Sequence, residues 1–177
     1  MNTNNIKNNQ RDRGFTIVEL LVVIVVIGIL AAITIVSYTG VTNRANTASA
    51  QSSAKNVYSK TEIYYVDSGT NIYPDNLGKM TVTATSDKTY FLSGVTFSGT
   101  LLAAAPGTPS TINWFRCGTG AGNPAPANLG EITAVTGARI GYWNYATPAI
   151  NYTDIGKVSG TVGTKSVACF ITTVVGT

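Results

Sequence analysis

The sequence predicts an α+β protein. A long N-terminal α-helix, with its hydrophobic half protruding, packs its other half on a C-terminal antiparallel β-sheet. Three observations lead there. Residues 14–36 form an apolar run with a single carboxylate, Glu19. No proline lies between Phe15 and Ile72, and no turn cluster precedes Asp67-Ser68-Gly69. From Tyr73 onward, short β-branched and aromatic runs alternate with Gly- and Pro-containing loops, the pattern of strands.

Residues 1–14 are polar, Asn-rich and basic, with Lys7, Arg11 and Arg13 against Asp12, and read as a leader rather than part of a fold. Residues 15–37 form a membrane or filament-core segment. Leu20 to Val36 is interrupted only by Gly28 and Thr34, and together with Phe15 to Val18 it is long enough to cross a hydrocarbon core of roughly 30 Å. Basic residues are denser before this run than just after it, where Arg44 stands alone up to Gln51. The positive-inside rule then leaves the N-terminus in the cytoplasm and the body outside.

Residues 38–66 continue as an amphipathic helix. Tyr38, Val41, Ala45, Ala48, Val57, Thr61 and Tyr64 recur near helical spacing, with a slip around Gln51 to Ala54 and a weak point at Gly40. A helix from Phe15 to about Val66 spans roughly 78 Å at ~1.5 Å per residue, too long for the remaining domain, so part of it projects.

Residues 67–177 make a loop-rich sheet domain. Pro74-Asp75-Asn76 and Gly78 mark a loop. Thr81 to Thr85 and Thr89 to Phe97 read as strands about a turn at Asp87-Lys88. Residues 103–130 read mainly as loop, interrupted by Ile112 to Cys117, and Ala138 to Tyr145 and Ser166 to Val175 are further strands.

Charged residues make up 11% of the chain, against roughly 25% in typical soluble domains, and Thr, Ser, Asn, Gly and Ala take their place, as in exported proteins. The net charge of +4 comes partly from the head of the chain, so a nucleic-acid surface has little support. There is no histidine, which excludes a His-based triad or a His metal site. Cys117 and Cys169 read as one disulfide if the body is exported, the alternative being two separate buried thiols. The acids beyond the helix, Asp67, Asp75, Asp87, Glu131 and Asp154, are well separated, and a calcium site would have to gather them from distant loops. Gly118 to Gly122 lacks the Lys-Ser/Thr end of a phosphate loop and reads as flexible loop. Asn151-Tyr152-Thr153 is a glycosylation triplet of a kind that arises often by chance. Tyr142, Trp143, Tyr145 and Tyr152 read as packing aromatics.

The decisive pattern is Arg13-Gly14-Phe15-Thr16-Ile17-Val18-Glu19-Leu20-Leu21: a short basic leader, glycine, an aromatic residue, Glu four positions on, then the apolar run. It resembles the processing signal of type IV pilins and type II secretion pseudopilins. Tyr64-Tyr65-Val66-Asp67-Ser68-Gly69 with Tyr73-Pro74 and Leu77 is similar to the helix exit of many members, so the likeness covers residues 11–77. It implies the pilin fold, and cleavage between Gly14 and Phe15 by a membrane prepilin peptidase that also methylates the new amine. It implies no catalysis by the chain, no cofactor and no metal. The implied product is a helical homopolymer, built with other pilins by an assembly ATPase acting through a platform protein. The subunit would wait as a single-pass protein of the cytoplasmic membrane and then enter an extracellular pilus serving adhesion, twitching motility or DNA uptake.

The role expected for Glu19 follows from electrostatics. After cleavage the Phe15 amine is mostly cationic at neutral pH. An unpaired carboxylate in an apolar assembly costs far more than a paired one. Glu19 is therefore expected to pair with the Phe15 amine of a neighbouring copy, fixing register while apolar packing supplies most of the energy. A plain anchor with a snorkelling Glu and an ordinary secretory signal peptide are the alternatives; the latter has an apolar region of roughly 7–15 residues. A pseudopilin, or a membrane-anchored exported enzyme or binding protein, are the alternative functions. Many relatives carry proline near the place held by Val36; its absence here leads us to expect a core helix at most locally unwound.

Overall fold

The computed structural model describes residues 14–69, 71–81, 87–120, 129–158, 161–162 and 165–172. The chain divides into two compact units between Gly40 and Val41. One α-helix, α1 (Ile17–Asp67, 51 residues), runs without interruption through Gly28, Gly40 and the region around Gln51. In the first unit it is apolar around its whole circumference. Every large aliphatic side chain from Ile17 to Val36 is at least 48% exposed. The polar exceptions are satisfied locally: the Thr34 hydroxyl donates to the Ala31 carbonyl at 2.9 Å and that of Thr39 to the Val36 carbonyl at 3.0 Å.

In the second unit the helix buries one stripe: Ala50, Ala54, Val57, Thr61 and Tyr64. The spacing of four, three, four and three keeps these residues on one face. The helix ends at Asp67, and Gly69 follows with φ 71°, the left-handed conformation that glycine adopts without a Cβ clash.

A short helix, α2 (Gly78–Thr81), comes next, then six strands: β1 (Thr96–Ser98), β2 (Thr111–Gly120), β3 (Ile132–Asn144), β4 (Ala149–Gly156), β5 (Thr161–Val162) and β6 (Lys165–Ile171). The sheet order is β4-β3-β2-β6-β5 with β1 also on β2. Since β3 takes one edge of β2, β1 and β6 share the other: β1 pairs with residues 111–113 and β6 with residues 115–119.

On the sheet's helix-facing side, Ile112 opposes Tyr142 and Trp114 opposes Ile140. These join Ala138, Ile155, Leu77, Met80, Tyr90, Leu92 and the α1 stripe in a single core. Asn113, on the other side, is fully buried and fully used. Its Oδ1 accepts from the Leu102 amide at 2.9 Å, and its Nδ2 donates to the carbonyls of Ser98 and Thr100 at 3.0 and 2.8 Å.

The α+β expectation holds, with corrections of detail. β1 is parallel to β2, so the sheet is mixed rather than wholly antiparallel. Of the strand expected over Thr89 to Phe97, only the end forms. Tyr90 and Leu92 are instead core anchors on an irregular segment tied to α2 by the Leu92 amide and the Met80 carbonyl (2.8 Å). Thr81 ends α2, and the rest of the strand expected there lies outside the described residues. Gly118 to Gly120 are strand, not loop: β2 bulges there, and a Cβ on Gly118 would sit 2.2 Å from the Ala134 carbonyl oxygen. β4 was not expected at all, and the glycosylation triplet lies inside it.

Candidate processing and assembly site

The start of α1 is built from four residues. Gly14 is exposed and non-helical, and a Cβ placed on it meets nothing within 4 Å. Phe15 is 87% exposed. Thr16 is the N-cap: its carbonyl accepts the first intrahelical bond from the Leu20 amide at 3.2 Å. Its hydroxyl accepts from the Glu19 amide at 3.2 Å. Glu19 returns the bond, its Oε2 accepting from the Thr16 amide and from the Thr16 hydroxyl, both at 2.9 Å. This reciprocal arrangement is a capping box, which satisfies amides that a helix start otherwise leaves open.

Thr16 is the member that reasoning from charge alone overlooks. The signal is nevertheless in the chain, as Thr-x-x-Glu immediately ahead of an apolar run. The box holds Glu19 by one oxygen. Among the described residues, Oε1 accepts no hydrogen bond. A carboxylate at a helix start also lies favourably in the helix dipole. The geometry therefore leaves a fixed acceptor beside an exposed Gly14-Phe15 peptide.

In the second unit, Cys117 and Cys169 stand directly opposite one another on β2 and β6 and are joined by a disulfide, with Cα atoms 4.1 Å apart. The remaining acids lie apart. Asp75 pairs with Lys79 at 2.9 Å, Arg139 clasps Asp154 through Nε and Nη2 at 2.7 and 2.9 Å, and Asp67 accepts from the Thr89 hydroxyl at 2.8 Å. The four late aromatics do not form one cluster. Tyr142 faces the core, Trp143 lies on the other side of β3, Tyr145 donates to the Pro106 carbonyl at 3.0 Å, and Tyr152 lies on β4 under the Arg139 guanidinium.

Residues 9–35 match the family model described as the prokaryotic N-terminal methylation motif. No curated protein and no solved structure matches the chain. The matched segment includes the Gly14-Phe15 peptide, the Thr16–Glu19 box and the apolar run up to Ile35. The chain thus carries the class III prepilin-like signal of type IV pilins and pseudopilins.

Proposed function

We propose that the chain is a structural subunit of a type IV pilus. The observation that carries this reading is the methylation motif over residues 9–35. The leader, residues 1–14, is removed by a prepilin peptidase at Gly14-Phe15, and the Phe15 amine is methylated. Residues 15–37 hold the precursor in the cytoplasmic membrane and then line the filament core. Residues 38–66 and 67–177 form the head. The chain itself is not an enzyme; its work is assembly.

Each incoming copy is positioned by Glu19 on the Phe15 amine of a neighbour. The capping box supports this role, because it holds one oxygen of Glu19 and leaves the other open. The exposed apolar circumference of residues 17–36 supports burial first in lipid and then among other helices. A head-to-tail contact that does not close gives a filament. An assembly ATPase and platform protein drive extraction, and the pilus serves adhesion, twitching or DNA uptake. The same motif supports the second reading, a pseudopilin of a type II secretion system.

Mass spectrometry of the mature N-terminus tests the processing. A chain starting at methylated Phe15 is expected, and one starting at Met1 overturns it. Deletion separates the two readings: loss of surface filaments favours the pilus, and loss of protein export with filaments intact favours the pseudopilus.

A further inference from the structure

A groove of about 560 Å³ lies on the outer face of α1 near its C-terminal end, in the second unit. Ile63 and Val66 supply its apolar surface, Val66 with 74% of its own area exposed, and Glu62, Asp67 and Thr89 border them. Neither acid has an ion pair among the described residues. Glu62 accepts from the Tyr73 hydroxyl at 3.5 Å, and Asp67 from the Thr89 hydroxyl at 2.8 Å. Lys60, a base of the same stretch, donates to the Thr89 carbonyl instead.

The helix carries a second apolar patch at the other end of this unit. Val41 is 65% exposed, Ala45 and Ala48 are exposed with it, and Arg44 stands beside them. Arg44 also has no ion pair among the described residues. Arg44, Ala45 and Ala48 each precede Glu62, Ile63 and Val66 by about five whole turns at ~3.6 residues per turn. The two sets therefore point the same way from the axis, away from the buried stripe of Ala50, Ala54, Val57, Thr61 and Tyr64. Between them this face is polar, with Ser52, Lys55 and Ser59 exposed.

Charge decides what the groove can take. A second groove laid against the first gathers the carboxylates of both, and two basic patches laid together set Arg44 against Arg44; like charges so placed reject the pairing. A basic patch laid in a groove matches cation to acid and small side chains to large ones. The two ends cannot meet within one copy, because Ala45 and Val66 lie about 32 Å apart along the helix at ~1.5 Å per residue. We propose that the groove is filled by residues 41–48 of a second copy, with Arg44 against Glu62 and Asp67 and the two helices parallel, staggered by about 30 Å. Donor and acceptor surfaces differ, so each copy keeps one of each open and the contact repeats without closing. This rests on the filament reading and deepens it, by naming the head surfaces that meet.

The test combines Ala45→Cys with Val66→Cys in the full chain, whose own two cysteines are already joined. Sheared filaments are oxidised and run on non-reducing gels. The new cysteines are too far apart to bond within one copy, so every new bond joins two copies. A ladder of oligomers is expected from the double variant, and no ladder from either single variant. Membranes from cells without the assembly machinery, where all copies sit at one depth, are expected to give none either. Adding Arg44→Glu is expected to cut the ladder about fivefold or more, and adding Glu62→Lys and Asp67→Lys to that variant to restore it to within about twofold. Circular dichroism checks that each variant keeps its fold. Filaments that give no ladder, a dimer band from Val66→Cys alone as strong as the ladder, an equal ladder from membranes, or no rescue by the exchanged charges overturns the contact and leaves the filament reading standing. Cells of the parent strain that build no filament overturn that reading and the contact together.

Discussion

The first and second units answer the hydrophobic effect in opposite ways on one continuous helix. From Ile17 to Val36 the large aliphatic side chains ring the helix and none is buried by the chain. From Ala50 to Tyr64 the helix has a single buried stripe and an outer face of polar residues such as Gln51, Lys55 and Asn56. Both stretches satisfy their backbone through the same ladder. The difference lies only in how the apolar residues are distributed around the axis, and that distribution decides whether a helix supports its own domain or must find its surroundings outside the chain.

If that contrast is right, the two regions can be damaged separately. Glu19→Ala is expected to have the largest effect, and on assembly alone. The protein is processed and its head folds, but sheared filament yield on immunoblots falls at least tenfold, since removing one partner of a desolvated pair is strongly unfavourable. Normal yield breaks the pairing. Trp114→Ala is the converse. Trp114 is fully buried between β2 neighbours and the α1 stripe, and its truncation costs about 3–5 kcal/mol of head stability. Denaturation of the full chain in detergent checks this, and membrane insertion should be unchanged.

The smaller effects sharpen the contrast. Replacing both Cys117 and Cys169 by alanine is expected to cost about 2–4 kcal/mol of head stability by freeing the chain between them, read as a lowered denaturation midpoint. Thr16→Val removes the capping hydroxyl and is expected to cost about 1 kcal/mol, confined to the first turn of α1 and visible as faster amide exchange at Glu19 and Leu20.

Asp75→Asn is the mildest. Burial works to raise the Asp75 ionisation, but the Lys79 hydrogen bond and charge and the Asn76 amide outweigh it, so the folded value lies below the ordinary one. A depressed carboxylate contributes stability that is present above the unfolded value, about 3.9, and lost as pH falls through the folded one. Because the pair is well exposed, the loss in Asp75→Asn is under about 1 kcal/mol at pH 7. Melting curves of variant and parent should converge as pH falls below the ordinary carboxylate range.

Helix, apolar segment and processing motif were legible because each rests on a long, one-dimensional signal. Fifty residues without proline, one acid in a greasy run, and Gly-Phe four positions ahead of Glu do not depend on distant partners. Where the reading slipped, tertiary contacts decided. Thr89 to Phe97 has strand composition, but Tyr90 and Leu92 are drawn into the core one by one, and only Thr96 to Ser98 finds an edge of β2 to pair with. The parallel sense of that pairing comes from the return of the chain through residues 99–110, which no residue pattern announces. The Gly118-Thr119-Gly120 segment looks like a loop, yet β2 needs a glycine at 118 because the Ala134 carbonyl and the Ile132 side chain crowd the bulge there. β4 lacks the apolar-polar alternation that announces a strand: Asn151 and Thr153 share the inward face with Ile155, and Tyr152 shares the outward face with Asp154. At the start of α1, the charge argument singled out Glu19 but not its nearest hydrogen-bonding partner, Thr16.

The covalent link across β2 and β6 has a mechanical consequence. Cys169 lies near the last described residue, on a strand held by backbone bonds to residues 115–119 of β2. A pull on the C-terminal strand would otherwise peel those bonds one at a time, the weak mode of a sheet under tension. With Cys117 anchored in the middle of that register, the load passes through sulfur to the central strand, and β6 cannot be unzipped past Cys169 without first cutting the bond.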